Sequence, residues 1–428
     1  MPELAYNPAN LPGKESILRQ SFENGATLLA YPNLNSPAVY FRGYLPAGSI
    51  SDPQDKEGLA NFNAAMLSTG TRKHDFQELH YQIESCGASL SVSSGSLSTL
   101  FGGQCLKEDL PLIFDLLLEM LSMPTYPQKH FERIKQQLLT IIRIQAQDTE
   151  EMSSQAFDRL YYRDHPYAIP DIGYADSLGR ISLEDLSNFH QQYFGPRGLV
   201  MAISGGISPE NASQLFDETF STWQAPSQSA QKELPEFTPP DQGCYEHIAI
   251  PGKSQSDLII GTQAPAPMTA AYQNCVLGNS ILGQFGMMGR IGEVVREQNG
   301  LAYYAGSTLE TGLGPTCWKV YAGVNPDNLQ KAIQKIKEEL RRFISEPVTT
   351  EELADVKSQA LGRLPLSFET NAGVVSYLLS LQRYQLDLDH LKTLPELLAN
   401  ITADDILKSA QSYWDLDKLI IASAGRKP

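Results

Sequence analysis

The sequence has 428 residues and a formal net charge of −16, from 33 Lys and Arg against 49 Asp and Glu. Its hydrophobic fraction of 42% argues against intrinsic disorder and, at about 150 residues per domain, predicts two or three globular domains. The acidic balance argues against non-specific nucleic-acid binding, which needs a basic surface, and favours basic peptides or a basic partner.

Targeting and membrane-spanning segments are not predicted. The N-terminal stretch MPELAYNPANLPGKES lacks the basic start and apolar run of a signal peptide, and the most apolar stretch, 110–123, carries Asp115 and Glu119. The five cysteines are odd in number and include no Cys-x-x-Cys pair, which favours reduced, buried thiols. We therefore expect a cytoplasmic protein, or one of an organellar matrix or stroma after removal of a targeting segment.

The first half of the chain alternates strand and helix patterns. Residues 38–45 are rich in aromatic and β-branched side chains and predict a strand. A helix stopped by Pro124 is predicted from apolar residues at helical spacing, namely Leu110, Ile113, Phe114, Leu117 and Leu121.

The second half shows the same alternation. A strand is predicted to start around Leu258–Ile260, and Asn325 followed by Pro326 predicts the cap and first position of a helix. The apolar face of that helix is Leu329, Ile333, Ile336, Leu340 and Phe343. Between the halves, residues 226–243 are rich in Pro, Ser and Gln, as in a solvated linker.

The ends of the two halves resemble each other. Residues 181–205 and 401–425 align without a gap, share seven of 25 residues, and both read as a capped helix followed by an apolar strand. We infer a duplication and an α+β fold of two homologous domains, each a mixed, mostly antiparallel sheet covered by helices. The predicted boundaries are 1–225 and 243–428, with the linker at 226–242.

Most standard catalytic motifs are missing from the sequence. There is no phosphate-binding Gly-x-x-x-x-Gly-Lys-Ser/Thr and no Gly-x-Ser-x-Gly nucleophile turn. The seven histidines are scattered, and the closest pair, His74 and His80, has a spacing that does not place both on one helix face.

The most informative segment is residues 58–71, GLANFNAAMLSTGT. It resembles the active-site helix of the insulinase/pitrilysin-type zinc peptidases, the inverzincins, whose pattern is Gly-Leu-Ala-His-Phe-x-Glu-His-Met-Leu-x-x-Gly-Thr. The framing residues of this pattern match: Gly58, Leu59, Ala60, Phe62, Met66, Leu67, Gly70 and Thr71. The resemblance implies the two-domain fold of that family.

The working residues of the pattern are replaced. Asn61 stands at the first His, Ala64 at the catalytic Glu and Ala65 at the second His, while the third ligand falls at Ile141 or Ile142. Zinc at such a site needs two imidazoles and a carboxylate, and its water needs a general base. We therefore expect no metal, no cofactor and no peptidase chemistry in this chain alone, and an ordinary packed helix at these positions.

A second motif of the family is present in the second half, in GRIGEVVREQNGLAY at 289–303. In the family the Arg and the Tyr seven residues later face the bound peptide, and here they are Arg296 and Tyr303. Arg and Tyr supply the donors that a developing oxyanion needs. A simpler interpretation is a cation near a helix C-terminus and an aromatic residue in a strand core.

Glycines precede this motif, notably Gly283, Gly286 and Gly289. The family's non-catalytic mitochondrial processing subunit, the alpha subunit, has a glycine-rich substrate-binding loop in the corresponding region, which implies substrate binding here. Close helix packing explains such glycines equally well.

The resemblance implies a non-catalytic subunit of a two-chain zinc peptidase that forms a clamshell. The heterodimer partner would carry the zinc and an intact His-x-x-Glu-His, while Arg296 and Tyr303 complete its site. Extended, basic peptides would add to a sheet edge, for which the candidate residues are Ala88, Ser89, Leu90 and Ser91. The alternatives are a catalytically inert scaffold and a peptide-binding homodimer of the same fold.

Overall fold

The computed structural model describes residues 11–230, 232–267 and 269–427. The strands of the first half are β1 (Leu18–Ser21), β2 (Thr27–Pro32), β3 (Ala38–Leu45), β4 (Ser89–Ser94), β5 (Thr99–Leu106) and β6 (Val200–Gly205). Its helices are α1 (Leu59–Met66), α2 (Phe76–Ser85), α3 (Leu110–Ser122), α4 (Gln128–Gln145), α5 (Thr149–Tyr162), α6 (Ala175–Arg180), α7 (Leu183–Tyr193) and α8 (Pro209–Phe220).

The second half repeats this pattern. Its strands are β7 (Cys244–Ala249), β8 (Ser256–Gln263), β9 (Ala302–Leu309), β10 (Cys317–Val324) and β11 (Ile420–Gly425). Its helices are α9 (Ala270–Gly283), α10 (Phe285–Gly292), α11 (Leu329–Ser345), α12 (Thr350–Leu366), α13 (Asn371–Arg383), α14 (His390–Asn400) and α15 (Ala403–Tyr413), with a π-helix at Glu293–Gln298.

Each half forms one mixed sheet, and the two sheets share a topology. The strand order is β1-β2-β6-β3-β5-β4 in the first sheet and β7-β11-β8-β10-β9 in the second. Apart from β1, the order β2-β6-β3-β5-β4 of the first sheet corresponds to β7-β11-β8-β10-β9 of the second. In each of these five-strand sets the first pair, β2 with β6 or β7 with β11, is parallel, and the other pairs are antiparallel. The predicted α+β fold with an internal duplication is confirmed.

The repeated segments adopt the same local structure. α7 and α15 start 220 residues apart, as do β6 and β11. Ser182 and Thr402 cap the two helices, and each closes a capping box, with Asp185 and Asp405 respectively. The similarity of the two segments is therefore structural as well as sequential.

The helix patterns match the observed helices closely. The five apolar residues predicted for α3 are all fully buried in the first core. Asn325 does cap its segment, but Pro326–Asn328 forms a short 3₁₀ turn and α11 begins at Leu329. Among the described residues, no helix is both long and apolar enough to cross a lipid bilayer.

The two halves exchange helices. α5, from the first half, packs on the second sheet, where Phe157 and Tyr161 lie in one core with Ile259 and Ile420. The equivalent helix of the second half, α13, covers the first sheet with its apolar face, which consists of Val374, Val375, Leu378 and Leu381. Each sheet therefore depends on the other half to bury its second face.

The connection between the halves is extended but anchored to the rest of the chain. Phe237 packs beside the rings of Tyr161, Tyr162 and His165, with ring centroids 5.3 to 5.7 Å apart. Gln228 is buried, and its side-chain amide donates a hydrogen bond to the carbonyl oxygen of Arg197 at 2.9 Å. The expectation of a simply solvated linker misses these two anchors. The predicted domain boundaries stay a prediction.

The cysteines differ from the expectation that all are buried. Cys105, Cys275 and Cys317 are buried, but Cys86 is half-buried and Cys244 is exposed on β7. The composition alone does not show this difference, because exposure depends on which strand lies at the edge of the sheet. Cys244 is exposed because β7 ends the second sheet.

Candidate functional site

The framing residues of the 58–71 segment hold α1 in place. Gly58 has a φ of +96°, and a Cβ there would lie 2.3 Å from the carbonyl oxygen of Ile172, so the position requires glycine. The Asp52 carboxylate accepts hydrogen bonds from the amides of Gly58 and Ala60, each at 2.8 Å. Burial raises the pKa of Asp52 to about 7, and these amides act in the opposite direction.

The working positions of α1 carry no zinc ligands. Ala64 is buried, while Asn61 and Ala65 are half-buried. Ile141 on α4 is 43% exposed, and Ile142 packs against the first core. One amide and aliphatic groups cannot replace two imidazoles and a carboxylate, so the residues present do not fit a zinc ion.

The described residues contain no group of three or more His, Cys, Asp or Glu side chains that could hold a metal ion. In α1 the buried polar side chain is Asn63, whose amide donates to the Tyr126 hydroxyl at 3.0 Å and to the Leu186 carbonyl at 2.9 Å. These bonds fasten α1 to α7 and to the segment between α3 and α4, which is a structural role.

A cavity of about 360 Å³ lies beside Asn61. It is lined mainly by α5 and by the segment that follows α5, including Glu151, Gln155, Asp158, Tyr167 and Asp171. The cavity is polar and acidic, and it borders the helix that resembles the family's zinc helix. α5, which covers the second sheet, thus also forms a wall beside the altered zinc position.

The predicted glycine-rich segment is irregular. Gly286 has a φ of +61°, and a Cβ there would meet nothing within 4 Å. Met287, Met288 and Gly289 also depart from helical geometry, and Met288 is in the left-handed region at φ +74°. The exposed Met287 and the open Gly286 form a strained surface loop, a kind of feature that often occurs at functional sites.

Two of the three predicted glycines have packing roles instead. A Cβ at Gly283 would lie 2.1 Å from the amide nitrogen of Ser307, and one at Gly289 would lie 2.5 Å from the carbonyl oxygen of Ile281. Gly283 lets the end of α9 approach β9 closely, and Gly289 lets the loop approach the end of α9. Packing therefore accounts for Gly283 and Gly289 but not for Gly286, whose predicted role in substrate binding stays a prediction.

Arg296 and Tyr303 lie at the entrance to β9. Arg296 is in the last turn of the π-helix, a rare helix type that often marks functional sites, and its side chain is 37% exposed. Its ion-pair neighbour is the adjacent Glu297, 3.5 Å from Nε, which is a weak surface contact. This position at a helix C-terminus also agrees with the simpler interpretation of Arg296.

The interpretation of Tyr303 as a strand-core aromatic is wrong. Val324 pairs with Ala302 and Gly323 pairs with Tyr304, so Tyr303 is the extra residue of a β-bulge. Its side chain is 65% exposed. Bulges redirect side chains and occur next to active sites, so the local backbone presents this tyrosine to solvent.

The predicted edge strand lies at an edge. β4 begins at Ser89, one residue later than predicted, and it ends the first sheet, while β9 with Tyr303 ends the second. The side chains of Ser89 and Ser91 are exposed and that of Leu90 is half-buried. Ala88 precedes the strand and packs against the first core.

Sequence reasoning did not identify the ion pair that holds the loop. Buried Arg290 donates two hydrogen bonds to the Glu352 carboxylate, from Nε at 2.6 Å and from Nη2 at 2.7 Å. Glu352 also closes a capping box with Thr349 at the start of α12. The Thr-x-x-Glu pattern was a usable sequence signal for the cap, but nothing in the sequence points from Glu352 to Arg290.

Replacing Glu352 by Gln is expected to destabilise the protein by about 2 kcal/mol at neutral pH, because buried Arg290 loses its nearest charged partner and keeps the more distant Glu339, 3.8 Å from Nη1. Burial raises the pKa of Glu352, but bonds from Arg290 and Thr349 outweigh this and lower it to about 2. The stabilisation is thus complete above the usual value of 4.5 and is lost as the pH falls towards 2. Urea denaturation of the unmodified protein and of Glu352→Gln at pH 7 and pH 3 measures the loss of unfolding free energy at each pH. An equal loss at pH 7 and at pH 3 would contradict the stabilising ion pair between Glu352 and Arg290.

Two family models match the chain. One, described as Insulinase (Peptidase family M16), matches residues 29–171, and the other, described as Peptidase M16 inactive domain, matches residues 180–360. Together they cover more than half of the sequence and both halves of the fold.

Curated relatives of similar length match as well. An uncharacterized zinc protease of Bacillus subtilis, YmxG, is 22% identical over 90% of this chain and 92% of its own length. A non-peptidase homolog of Helicobacter pylori is 23% identical, covering 90% of this chain and 88% of the relative. The mitochondrial-processing peptidase subunit beta of Saccharomyces cerevisiae is 24% identical, covering 82% and 79%.

Solved structures share the whole fold. The peptidase M16 inactive domain from Pseudomonas fluorescens superposes with a TM-score of 0.88 at 24% identity, covering 96% of this chain and 98% of that one. A protease from Helicobacter pylori gives a TM-score of 0.87 at 17% identity, covering 97% and 100%. The family models, with the fold in agreement, show that this chain belongs to the insulinase family, peptidase family M16.

Proposed function

We propose that this chain is the non-catalytic subunit of a heterodimeric zinc peptidase and that it completes its partner's active site. The observation that carries the proposal is a contrast between the halves. α1 has lost every group that would hold or assist zinc, while Arg296 and Tyr303 stand exposed at the entrance to β9. A chain that kept the fold as a scaffold alone would have no need for this pair.

The chemistry of the pair suits peptide hydrolysis in a partner's site. The partner's zinc would supply an activated water. The Arg296 guanidinium and the Tyr303 hydroxyl are hydrogen-bond donors that can grip substrate carbonyls and stabilise the oxyanion that forms during attack. Such donors lower the barrier without taking part in bond making, so a non-catalytic chain can contribute them.

The substrate would be an extended, basic peptide. β4 and β9 each leave one side of their backbone unpaired in the sheets, which allows a peptide to add as a further strand. A cavity of about 380 Å³ beside the glycine loop is lined by Glu293, Glu297, Glu351 and Asp355, together with Glu352, which pairs with Arg290. These carboxylates, with the net charge of −16, favour basic side chains.

The names of the relatives are compatible with such a division of labour. They include zinc proteases, a non-peptidase homolog and one subunit of a processing peptidase. A family that contains both chains named zinc proteases and a chain named a non-peptidase homolog, of similar length to this one, offers candidates for both halves of a heterodimer.

Reconstitution with an M16 chain from the same organism that has an intact His-x-x-Glu-His tests the proposal. We expect the two purified chains to form a complex of one copy each, with zinc in the partner and cleavage of basic peptides in the mixture. The matched control replaces the Glu of the partner's motif by Gln, which should abolish cleavage and leave the complex intact. Size-exclusion chromatography with light scattering, zinc analysis and a peptide assay give the three readouts.

Three results would contradict the proposal. A partner that cleaves equally fast without this chain would remove its contribution to the active site. A lone dimer of this chain that binds peptides but no family member would instead support a peptide-binding homodimer, and capture in a large assembly without cleavage would support a scaffold.

A further inference from the structure

A cleft with a volume of about 940 Å³ lies between the two halves. Its walls are the β4–β5 turn, the β9–β10 loop, α5 and the C-terminal end of α13. It shares Asp158 and Tyr167 with the cavity beside Asn61, so the two spaces adjoin. A ligand lying along α1 can therefore extend into this cleft.

The carboxylates in the cleft already have a cation. Lys319 Nζ contacts Asp158 Oδ1 at 3.0 Å and Glu310 Oε1 at 2.6 Å. Arg383, at the end of α13, is different, because no hydrogen bond or ion pair to its guanidinium is found in the described part of the chain. The guanidinium carbon lies 5.1 Å from the ring centroid of Tyr44.

Local roles account for part of this arrangement. Arg383 is in the last turn of α13, where a cation suits the helix dipole, and its stacking on Tyr44 is a cation–π contact. Neither role gives the guanidinium N–H groups an acceptor. In a protein with 16 excess negative charges, an arginine without a carboxylate partner in a large cleft calls for a further explanation.

Two tyrosines lie near Arg383. Burial raises the pKa of Tyr44. Burial and, to a smaller extent, the charge of Asp171 raise the pKa of Tyr167 to about 12. The positive charge of Arg383 lowers the pKa of both tyrosines. No hydrogen bond of either hydroxyl is found among the described residues. Arg383, Tyr44 and Tyr167 thus line the same cleft, where the guanidinium of Arg383 stacks on the Tyr44 ring.

We propose that this cleft binds the free C-terminal carboxylate of a peptide, with the guanidinium of Arg383 and the hydroxyls of Tyr44 and Tyr167 as donors. The planar guanidinium can hold a carboxylate through two parallel hydrogen bonds. The volume of the cleft suits several residues of a peptide, and its lining mixes aliphatic, aromatic and polar groups. The inference that the ligand is a peptide rests on the proposed function. The inference that the ligand binds through a carboxylate rests on the three donors.

Direct binding to the isolated chain tests this site without catalysis. The probe is an N-terminally labelled hexapeptide, used either as the free acid or as the C-terminal amide and followed by fluorescence anisotropy. We expect the acid to bind about tenfold or more tightly than the amide, as for one charge-assisted pair. Unlabelled hydrocinnamate, a small carboxylic acid, should compete only at much higher concentration than the peptide acid.

Variants locate the carboxylate. Arg383→Met should abolish the preference for the acid and leave the affinity for the amide unchanged. Arg383→Lys, which keeps the charge but not the planar guanidinium, should retain part of the preference for the acid. Tyr44→Phe and Tyr167→Phe should each reduce the preference. Arg363→Met, at an exposed arginine of α12, is the matched control and should change nothing. Unchanged amide affinity in Arg383→Met shows that the variant is folded.

Equal affinity for acid and amide would overturn the carboxylate site and leave the proposed function standing, since peptides would still bind. Competition by hydrocinnamate at the concentration of the peptide acid would overturn the peptide as the ligand and point to small carboxylic acids. Failure of the proposed function appears elsewhere, as the absence of assisted cleavage in the reconstituted pair.

Discussion

Replacing Arg296 by Ala is expected to lower kcat of the reconstituted pair about 100-fold, with a much smaller change in KM. Removing one oxyanion donor from a hydrolase typically costs about 100- to 1,000-fold in kcat, because the donor acts mainly in the transition state. Among the described residues Arg296 has no buried ion-pair partner to lose, and its contact with Glu297 is a surface contact. The fold should therefore tolerate the change, and the effect should appear in the chemistry.

The matched control for this variant is Arg341→Ala, which removes an exposed arginine from α11. Its kcat and its melting temperature should equal those of the unmodified pair. If Arg296→Ala behaved like this control, the assignment of Arg296 to the partner's active site would be wrong. A rise in KM alone would instead assign Arg296 to substrate binding.

Tyr303→Phe is expected to lower kcat about tenfold, because it removes a single neutral donor and keeps the ring. The bulge at Tyr303 is a backbone feature, so the side chain keeps its position in the variant. Tyr81→Phe, at an exposed tyrosine of α2, serves as the control and should have no effect. An equally large fall in both variants would show that the assay reports stability and not catalysis.

The repeat and the helix faces were predictable because their causes are local. Capping boxes at Ser182 and Thr402 and the periodic apolar residues of α3 depend on a few neighbouring positions. The loss of zinc ligands was also readable, since the segment that carries Asn61, Ala64 and Ala65 keeps the family's spacing.

The features that the sequence did not predict depend on distant partners. The apolar stripe of α5 would look the same whichever sheet it covered, so its place on the second sheet is a tertiary choice. The exposure of Tyr303 follows from its register with β10, and Arg383 meets Tyr44 from the opposite half of the chain. None of these contacts leaves a periodic or compositional signal.

Replacing Lys319 by Met is expected to destabilise the protein by about 2 to 3 kcal/mol at neutral pH, since it leaves two half-buried carboxylates, those of Asp158 and Glu310, without a cation. Lys319 lies on β10 and joins the second sheet to α5 through Asp158, and it also lies 4.6 Å from the ring centroid of Phe157. Burial lowers the pKa of Lys319, but the fields of Cys317, Asp158 and Glu310 outweigh this and raise it. The lysine is therefore charged in the folded protein.

The pH dependence of this variant separates loss of charge pairing from loss of packing. Burial already raises the pKa of Asp158, and removing Lys319, which lowers it, should raise it further. A carboxyl whose pKa is raised by folding stabilises the folded state when protonated and loses that contribution as the pH rises through the folded value. The loss of unfolding free energy in Lys319→Met, relative to the unmodified chain, should thus be largest at pH 7 and should decrease towards pH 4.

Urea denaturation followed by the fluorescence of the three tryptophans, all of them buried and one of them, Trp318, next to Lys319, measures the effect. The double variant with Asp158→Asn and Lys319→Met should recover part of the loss, because one uncompensated charge is removed with its partner. Lys331→Met, at an exposed lysine of α11, is the control. A Lys319→Met protein as stable as the unmodified chain at pH 7 would mean that the exchanged helix α5 is held by its apolar contacts alone, and that the buried charges between the halves contribute no net stability.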